Sequence, residues 1–219
     1  MLGLALADPA EPLRSVLVVG AHADDIEIGC GGTLLRLLQV HPGIAVCWVV
    51  LSGSGIRGDE ARKSAGVWLD GAAGRSVIVR DFEDGFFPYS GAGIKRFFED
   101  LKGEIQPDLV LTHFRDDLHQ DHRLVNELTW NTFRDHLILE YEVPKYDGDL
   151  GSPNFFVHLS RDICRRKVDT LLRCFPSQHS RRWFTEDLFL SLLRLRGMES
   201  NSPSHYAEAF YCRKVVATL

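Results

Sequence analysis

Two short stretches of this chain concentrate the side chains that do chemistry. One reads Ala21-His22-Ala23-Asp24-Asp25, and the other His113-Phe114-Arg115-Asp116-Asp117-Leu118-His119-Gln120-Asp121-His122. Imidazoles and carboxylates hold divalent ions and move protons. A mononuclear hydrolytic centre needs three such ligands, an open water position, a base for that water and an electrophile for the developing oxyanion. Together the two stretches contain enough groups for every role. Taken singly, each has a plainer use, because Asp24 and Asp25 can cap a following helix and His119 and His122 can sit solvated in a loop. His119 and His122 are three apart, so spacing alone lets either be the ligand.

The positions of the two stretches give them weight. The apolar run 15–20 (SVLVVG) precedes the first and 108–112 (DLVLT) precedes the second, and both read as buried strands. In open α/β sheets, ligands bind beyond the carboxyl ends of such strands. Further strands are predicted at 44–51, 75–79 and 154–159, and helices at 31–40, 59–69, 94–105, 126–138, 162–173 and 185–196. Residues 144–153 (PKYDGDLGSP) are rich in turn formers and read as a surface crossing. Strands alternating with helices predict a Rossmann-like α/β fold: a mainly parallel sheet with helices on both faces, in a single domain over residues 1–219.

Composition narrows the function classes. The 219 residues carry 25 Lys+Arg against 30 Asp+Glu, a formal net charge of −5, which disfavours a basic nucleic-acid module and a polybasic membrane anchor. With 45% hydrophobic and 25% charged residues the chain has the balance of a globular protein. No run reaches the roughly 18 apolar residues of a membrane span, and the stretch 1–10 carries Asp8 rather than a basic leader region. The five cysteines are scattered without C-x-x-C spacing, against a disulfide framework or a thiolate zinc site. A cytoplasmic protein without a signal peptide is expected; the sequence leaves monomer and homo-oligomer open.

AHADDIEIGCGGT, which opens at Ala21, resembles the AHPDD-x-E-x-G-x-GGT signature of the PIG-L/LmbE-like zinc N-deacetylases, and His119-Gln120-Asp121-His122 resembles their HPDH motif. Between and after them, Arg57-Gly58-Asp59-Glu60 is similar to an R-x-x-E segment, Asp84-Gly85 to a D-G, and Tyr206-Ala207-Glu208-Ala209-Phe210 to a C-terminal Y-x-E-x-F segment. The resemblance implies an LmbE-like fold, zinc or another divalent ion held by His22, Asp25 and His122, Asp24 as general base, and His119 as electrophile and acid oriented by Asp121. It further implies substrate contacts from Arg57 to a polar or anionic substituent and from Asp84 to sugar hydroxyls, with Glu208 supporting the site from behind. The implied reaction is removal of an N-acetyl group from an N-acetylglucosamine-type or other N-acetylated amino-sugar conjugate.

The chain departs from the commonest pattern at Ala23 and Gln120, where proline is frequent, which bears on loop rigidity and removes no ligand. Glu27 matches the acidic position of the signature and is expected in the first helical turn without a catalytic role. His41, His136, His158, His179 and His205 match no ligand motif and read as surface or core-edge residues, while His113, at the end of DLVLT, lines the pocket, orients Asp24 or makes a structural hydrogen bond. Trp48, Phe86, Phe87 and Trp130 read as packing aromatics, with Phe86 and Phe87 placed to wall a sugar pocket.

Three other functions are weighed. Hydrolysis of a different small amide conjugate fits the same motifs. A methyl-donor-binding domain would use Gly29, Gly31 and Gly32 as its loop, but leaves SVLVVG and both histidine stretches without a task. A catalytically silent sugar-binding protein would have no use for the retained base and ligands.

Overall fold

The computed structural model describes residues 3, 5–6 and 12–216; the remainder of the stretch 1–10, including Asp8, lies outside the described residues. Strands β1 (Ser15–His22), β2 (Ala45–Ser52), β3 (Gly74–Val79), β4 (Leu109–His113) and β5 (Leu137–Tyr141) run parallel, in the order β3-β2-β1-β4-β5. β7 (Ala207–Cys212) then adds antiparallel to β5, and β6 (Phe155–His158) antiparallel to β7 at the edge. The helices are α1 (Asp25–Val40), α2 (Gly55–Trp68), α3 (Phe87–Glu104), α4 (Gln120–Thr132), α5 (Arg161–Cys174) and α6 (Glu186–Glu199).

The central strands are apolar throughout because both faces of the sheet are covered. Along β1, Val16 and Val18 face one core with Leu34 of α1, Trp68 of α2, Ile163 of α5 and Phe189 of α6. Leu17, Val19 and Ala21 face the other, with Phe98 of α3 and Val125 of α4. The expected α/β class, mainly parallel sheet and two-sided helical cover are therefore what the chain adopts.

Several boundaries differ from the periodicity reading, each for a packing reason. α1 begins at Asp25 rather than at residue 31, because its glycines are helical. A Cβ on Gly29 would come within 2.1 Å of the Tyr141 ring, one on Gly31 within 2.7 Å of Trp68, and one on Gly32 within 2.5 Å of Leu159. These glycines let β5, α2 and the segment after β6 close onto the helix. α2 starts at Gly55, so Arg57 is a helical residue. The helix expected over 126–138 is instead α4, ending at Thr132, followed by β5 from Leu137. The apolar residues Leu137 and Ile138 extend a helical pattern by eye but complete a parallel strand in space. β7 was visible in sequence only as a motif.

Candidate metal and catalytic site

The strand order reverses between β1 and β4. α1 leaves β1 toward one face of the sheet and α4 follows β4 on the opposite face, so the two connections diverge and open a crevice at the carboxyl ends of both strands. His22 ends β1, Asp24 and Asp25 make the turn into α1, and His119 to His122 make the turn into α4. The crevice is a cleft of about 380 Å³, lined by His22, Asp24, Asp25, His119 and His122 together with Arg57, Asp84, Lys145, Arg181 and Trp183. Asp24 holds φ 107°, a left-handed backbone that L-residues adopt rarely, and its side chain makes no cap to the helix. Strain of this kind persists where the surrounding structure over-determines it, commonly at functional positions.

Three donor atoms converge at the cleft floor. His22 Nδ1 lies 3.2 Å from His122 Nε2 and 3.3 Å from Asp25 Oδ2, and His122 Nε2 lies 3.5 Å from Asp25 Oδ2. Ligands held about 2.0–2.1 Å from a tetrahedral zinc stand about 3.3 Å apart. The triangle therefore has the dimensions of three corners of such a site, with a donor set of two imidazoles and one carboxylate that suits zinc and other borderline divalent ions. Burial alone would raise the Asp25 carboxyl, but His122, His113 and His22 hold it well below the usual carboxylate range. It is the anionic member of the set.

Asp24 is buried beside this triangle. Its Oδ1 pairs with Arg57 Nη2 at 2.9 Å and its Oδ2 has no partner. Burial raises its pKa to about 7 against the opposing charge of Arg57. Arg57 also donates to the Ala23 carbonyl and pairs with Glu60 at 3.2 Å, so its guanidinium orients Asp24 rather than standing free for a substrate anion. Asp84 is 74% exposed at the mouth, with Oδ1 3.0 Å from His22 Nε2.

His119 caps α4: its Nδ1 accepts the Asp121 backbone N–H at 3.2 Å, so the ring proton sits on Nε2. Burial and the positive neighbours His122 and His22 hold its pKa below the ordinary imidazole value. The expectation that the Asp121 carboxylate orients a protonated His119 is corrected here. That carboxylate accepts from Gly85 N–H at 2.6 Å and Phe87 N–H at 3.1 Å and lies 3.1 Å from His22 Nε2; only the Asp121 amide serves His119.

His113 also differs from two of its three expected uses, being fully buried and outside the cleft lining. Its Nε2 accepts the Ala21 N–H at 2.9 Å and lies 3.3 Å from Asp25 Oδ2, and its ring stacks on His122 with centroids 3.9 Å apart. It touches Asp25 rather than Asp24, and burial with the His122 charge depresses its pKa to about 4. The neutral ring is a packing surface that fixes His122. Phe87 is buried in the α3/α4 core and Phe86 is outside the cleft lining, so neither walls the pocket.

Asp117 was not singled out from sequence. Its Oδ2 lies 2.9 Å from His122 Nδ1, turning His122 Nε2 into the cleft, and Lys145 Nζ holds the same oxygen at 2.8 Å. Burial would raise the Asp117 carboxyl, but the hydrogen bond and charge of His122 pull it far down. The signal was present as a carboxylate five residues before His122. Lys145, Arg181 and Trp183 come from distant segments and had no local signal. Glu208 lies away from the cleft: it accepts Gly32 N–H at 2.7 Å and Thr33 N–H at 2.6 Å and pairs with buried Lys167 at 2.6 Å, clamping the middle of α1.

A family model described as GlcNAc-PI de-N-acetylase, PIG-L, matches residues 17–133, a span that contains every residue of the triangle. The uncharacterized deacetylase YaiS of Escherichia coli K12 is 31% identical over 155 residues, covering 66% of this chain and 82% of that protein. Among solved structures, N,N'-diacetylchitobiose deacetylase from Pyrococcus horikoshii superposes with TM-score 0.73 at 22% identity, over 95% of this chain and 86% of its own. GalB, the 4-carboxy-2-hydroxymuconate hydratase of Pseudomonas putida, does so with TM-score 0.69 at 20% identity, over 94% and 99%. At these identities the likeness speaks for the fold, and one fold carrying a deacetylase and a hydratase leaves the reaction to be argued from the site.

Proposed function

Since the chain belongs to the PIG-L family of de-N-acetylases, we propose that it hydrolyses the N-acetyl group of an N-acetylglucosamine-type or other N-acetylated amino-sugar conjugate, using a divalent ion, zinc in the first instance. The observation that carries this reading is the triangle of His22 Nδ1, Asp25 Oδ2 and His122 Nε2, with edges of 3.2 to 3.5 Å, beside the unpartnered Oδ2 of Asp24. These three side chains would hold the ion. When bound, it supplies Lewis acidity, which makes a water acidic enough to lose a proton near neutral pH and polarises a carbonyl.

Asp24 accepts that proton on Oδ2, because Arg57 engages Oδ1 and leaves the other oxygen free. His119 donates from Nε2 to the amide oxygen as it gains charge. Its Nδ1 is taken by the Asp121 amide, so it acts as a neutral hydrogen-bond donor. When the C–N bond breaks, the proton held on Asp24 is the one available to the leaving amine; acetate and a free amine result. Trp183 offers an aromatic wall and Asp84 an acceptor at the cleft mouth, a pairing that suits a sugar ring and its hydroxyls. A cytoplasmic working place is part of the same reading; it is supported by five free cysteines and by the lack of any helix, among the described residues, long and apolar enough to cross a membrane.

The test is to strip the protein with a chelator, reload it with zinc, and measure acetate released from a panel of N-acetylated sugars and conjugates. Release that depends on zinc and on an amino-sugar acetamide is expected. Zinc-independent release, or release only from non-sugar amides, overturns the proposal.

A further inference from the structure

His22 presents both of its ring nitrogens to donors. Nδ1 faces the inner triangle, while Nε2 lies 3.0 Å from Asp84 Oδ1 and 3.1 Å from Asp121 Oδ2. His119 joins this outer group: His22, Asp84, His119 and Asp121 each offer one ligand atom, all within 4.8 Å of one another. We propose that these four side chains form a second, weaker divalent-cation site at the mouth of the cleft, bridged to the inner one through the His22 ring. The proposal rests on the reading of His22, Asp25 and His122 as the inner ligands.

The outer distances from His22 Nε2 are close to the roughly 3.3 Å between neighbouring ligands of a tetrahedral ion, and two imidazoles with two carboxylates complete a four-ligand set for zinc or cobalt. Part of the site is rigid. Asp121 is buried and fixed by the Gly85 and Phe87 amides, and the turn that delivers those amides and Asp84 depends on Gly85 at φ +81°. Asp84 and His119 complete it from the open side, where an ion can enter.

With only the inner ion bound, His22 keeps its Nε2 proton and donates it to Asp121, the usual second contact of a metal-ligating histidine. The outer set shares the His22 ring with the inner one and takes Asp84 from the exposed mouth, so the outer affinity is the lower. Outer binding also removes His119 from the oxyanion and blocks the mouth. Excess metal is then an inhibitor.

Metal stoichiometry tests the proposal without reference to turnover. Chelator-stripped protein is titrated with zinc by equilibrium dialysis, and with cobalt followed by its absorption spectrum. The wild type should bind two equivalents, one tight and one weak. Asp84→Ala should lose the weak equivalent and keep the tight one, His122→Ala should lose the tight one and keep the weak, and His22→Ala should lose both. Because Asp84 is exposed its variant should fold, and melting curves of all three variants accompany the titrations. Saturation of the wild type at one equivalent up to millimolar zinc overturns the proposal, as does an Asp84→Ala protein that still binds two or a folded His22→Ala protein that keeps one. If instead His122→Ala retains the tight equivalent, the inner assignment has failed, which is a different result.

Discussion

Two buried ionic clusters sit along α1, one at its N-terminus and one against its middle, and they are built in opposite ways. Further along the helix, Lys167 donates to Ile28 O and to Glu208, and both Glu208 oxygens also accept backbone amides. Nearby, Arg196 pairs with Glu142 at 2.7 Å, and Glu142 also accepts from Tyr211 at 2.9 Å. Here each charge has its partners. At its N-terminus, Asp24 keeps one oxygen unpartnered on a left-handed backbone, Asp25 and three histidines crowd together, and His113 Nδ1 has no partner. Leaving such groups unsatisfied costs about 1–3 kcal/mol each. A closed network holds a helix in place; an open, strained one is what a ligand completes.

That contrast orders the experiments. The largest effect is expected from Asp24→Asn, which keeps the size of the side chain but cannot accept a proton: kcat should fall about 10²- to 10⁴-fold with metal content unchanged. Asparagine also tolerates positive φ, so Asp24→Asn should melt close to wild type, whereas Asp24→Ala should melt lower. Near-wild-type turnover by metal-replete Asp24→Asn would falsify the assignment of the base.

Lys167→Met attacks the closed cluster instead. It strands the Glu208 carboxylate in the interior, and urea unfolding should show a loss of about 3–5 kcal/mol. Turnover per folded molecule and metal stoichiometry should stay as in the wild type. If activity falls while stability holds, the two clusters are not separable as argued.

Next comes His119→Ala, expected to lower kcat about 10²- to 10³-fold through loss of one oxyanion donor while leaving the tight metal equivalent in place. A variant that cannot hold zinc tightly would exchange the roles of His119 and His122. Asp117→Asn should act on the metal rather than on chemistry, weakening tight binding about 10- to 100-fold because His122 loses its anionic hydrogen-bond partner; a chelator competition assay reads this directly. The smallest change is in the helix between the clusters. Gly29→Ala places a methyl against the Tyr141 ring and should cost about 1–3 kcal/mol of stability with metal binding retained.

The sequence by itself carried the local statements. Short, β-rich apolar runs bounded by turn residues read as strands buried on both faces, so SVLVVG and DLVLT pointed to a covered parallel sheet, and the polar residues directly after them to where a ligand would sit. The types and order of His22, Asp24, Asp25, His119 and His122 were likewise enough to suggest metal-assisted hydrolysis. What they could not carry was which atom faces which. Asp121 is only two residues from His119 in the chain, yet its carboxylate turns to His22 and the amides of Gly85 and Phe87. Arg57 reads as a substrate cation until α2 packs it against Asp24. The stretch before Gly31 reads as a loop until Tyr141 closes on Gly29 of the helix. Each of these depends on contacts between residues far apart in the chain, and local periodicity contains no information about them; only the packed structure decides them.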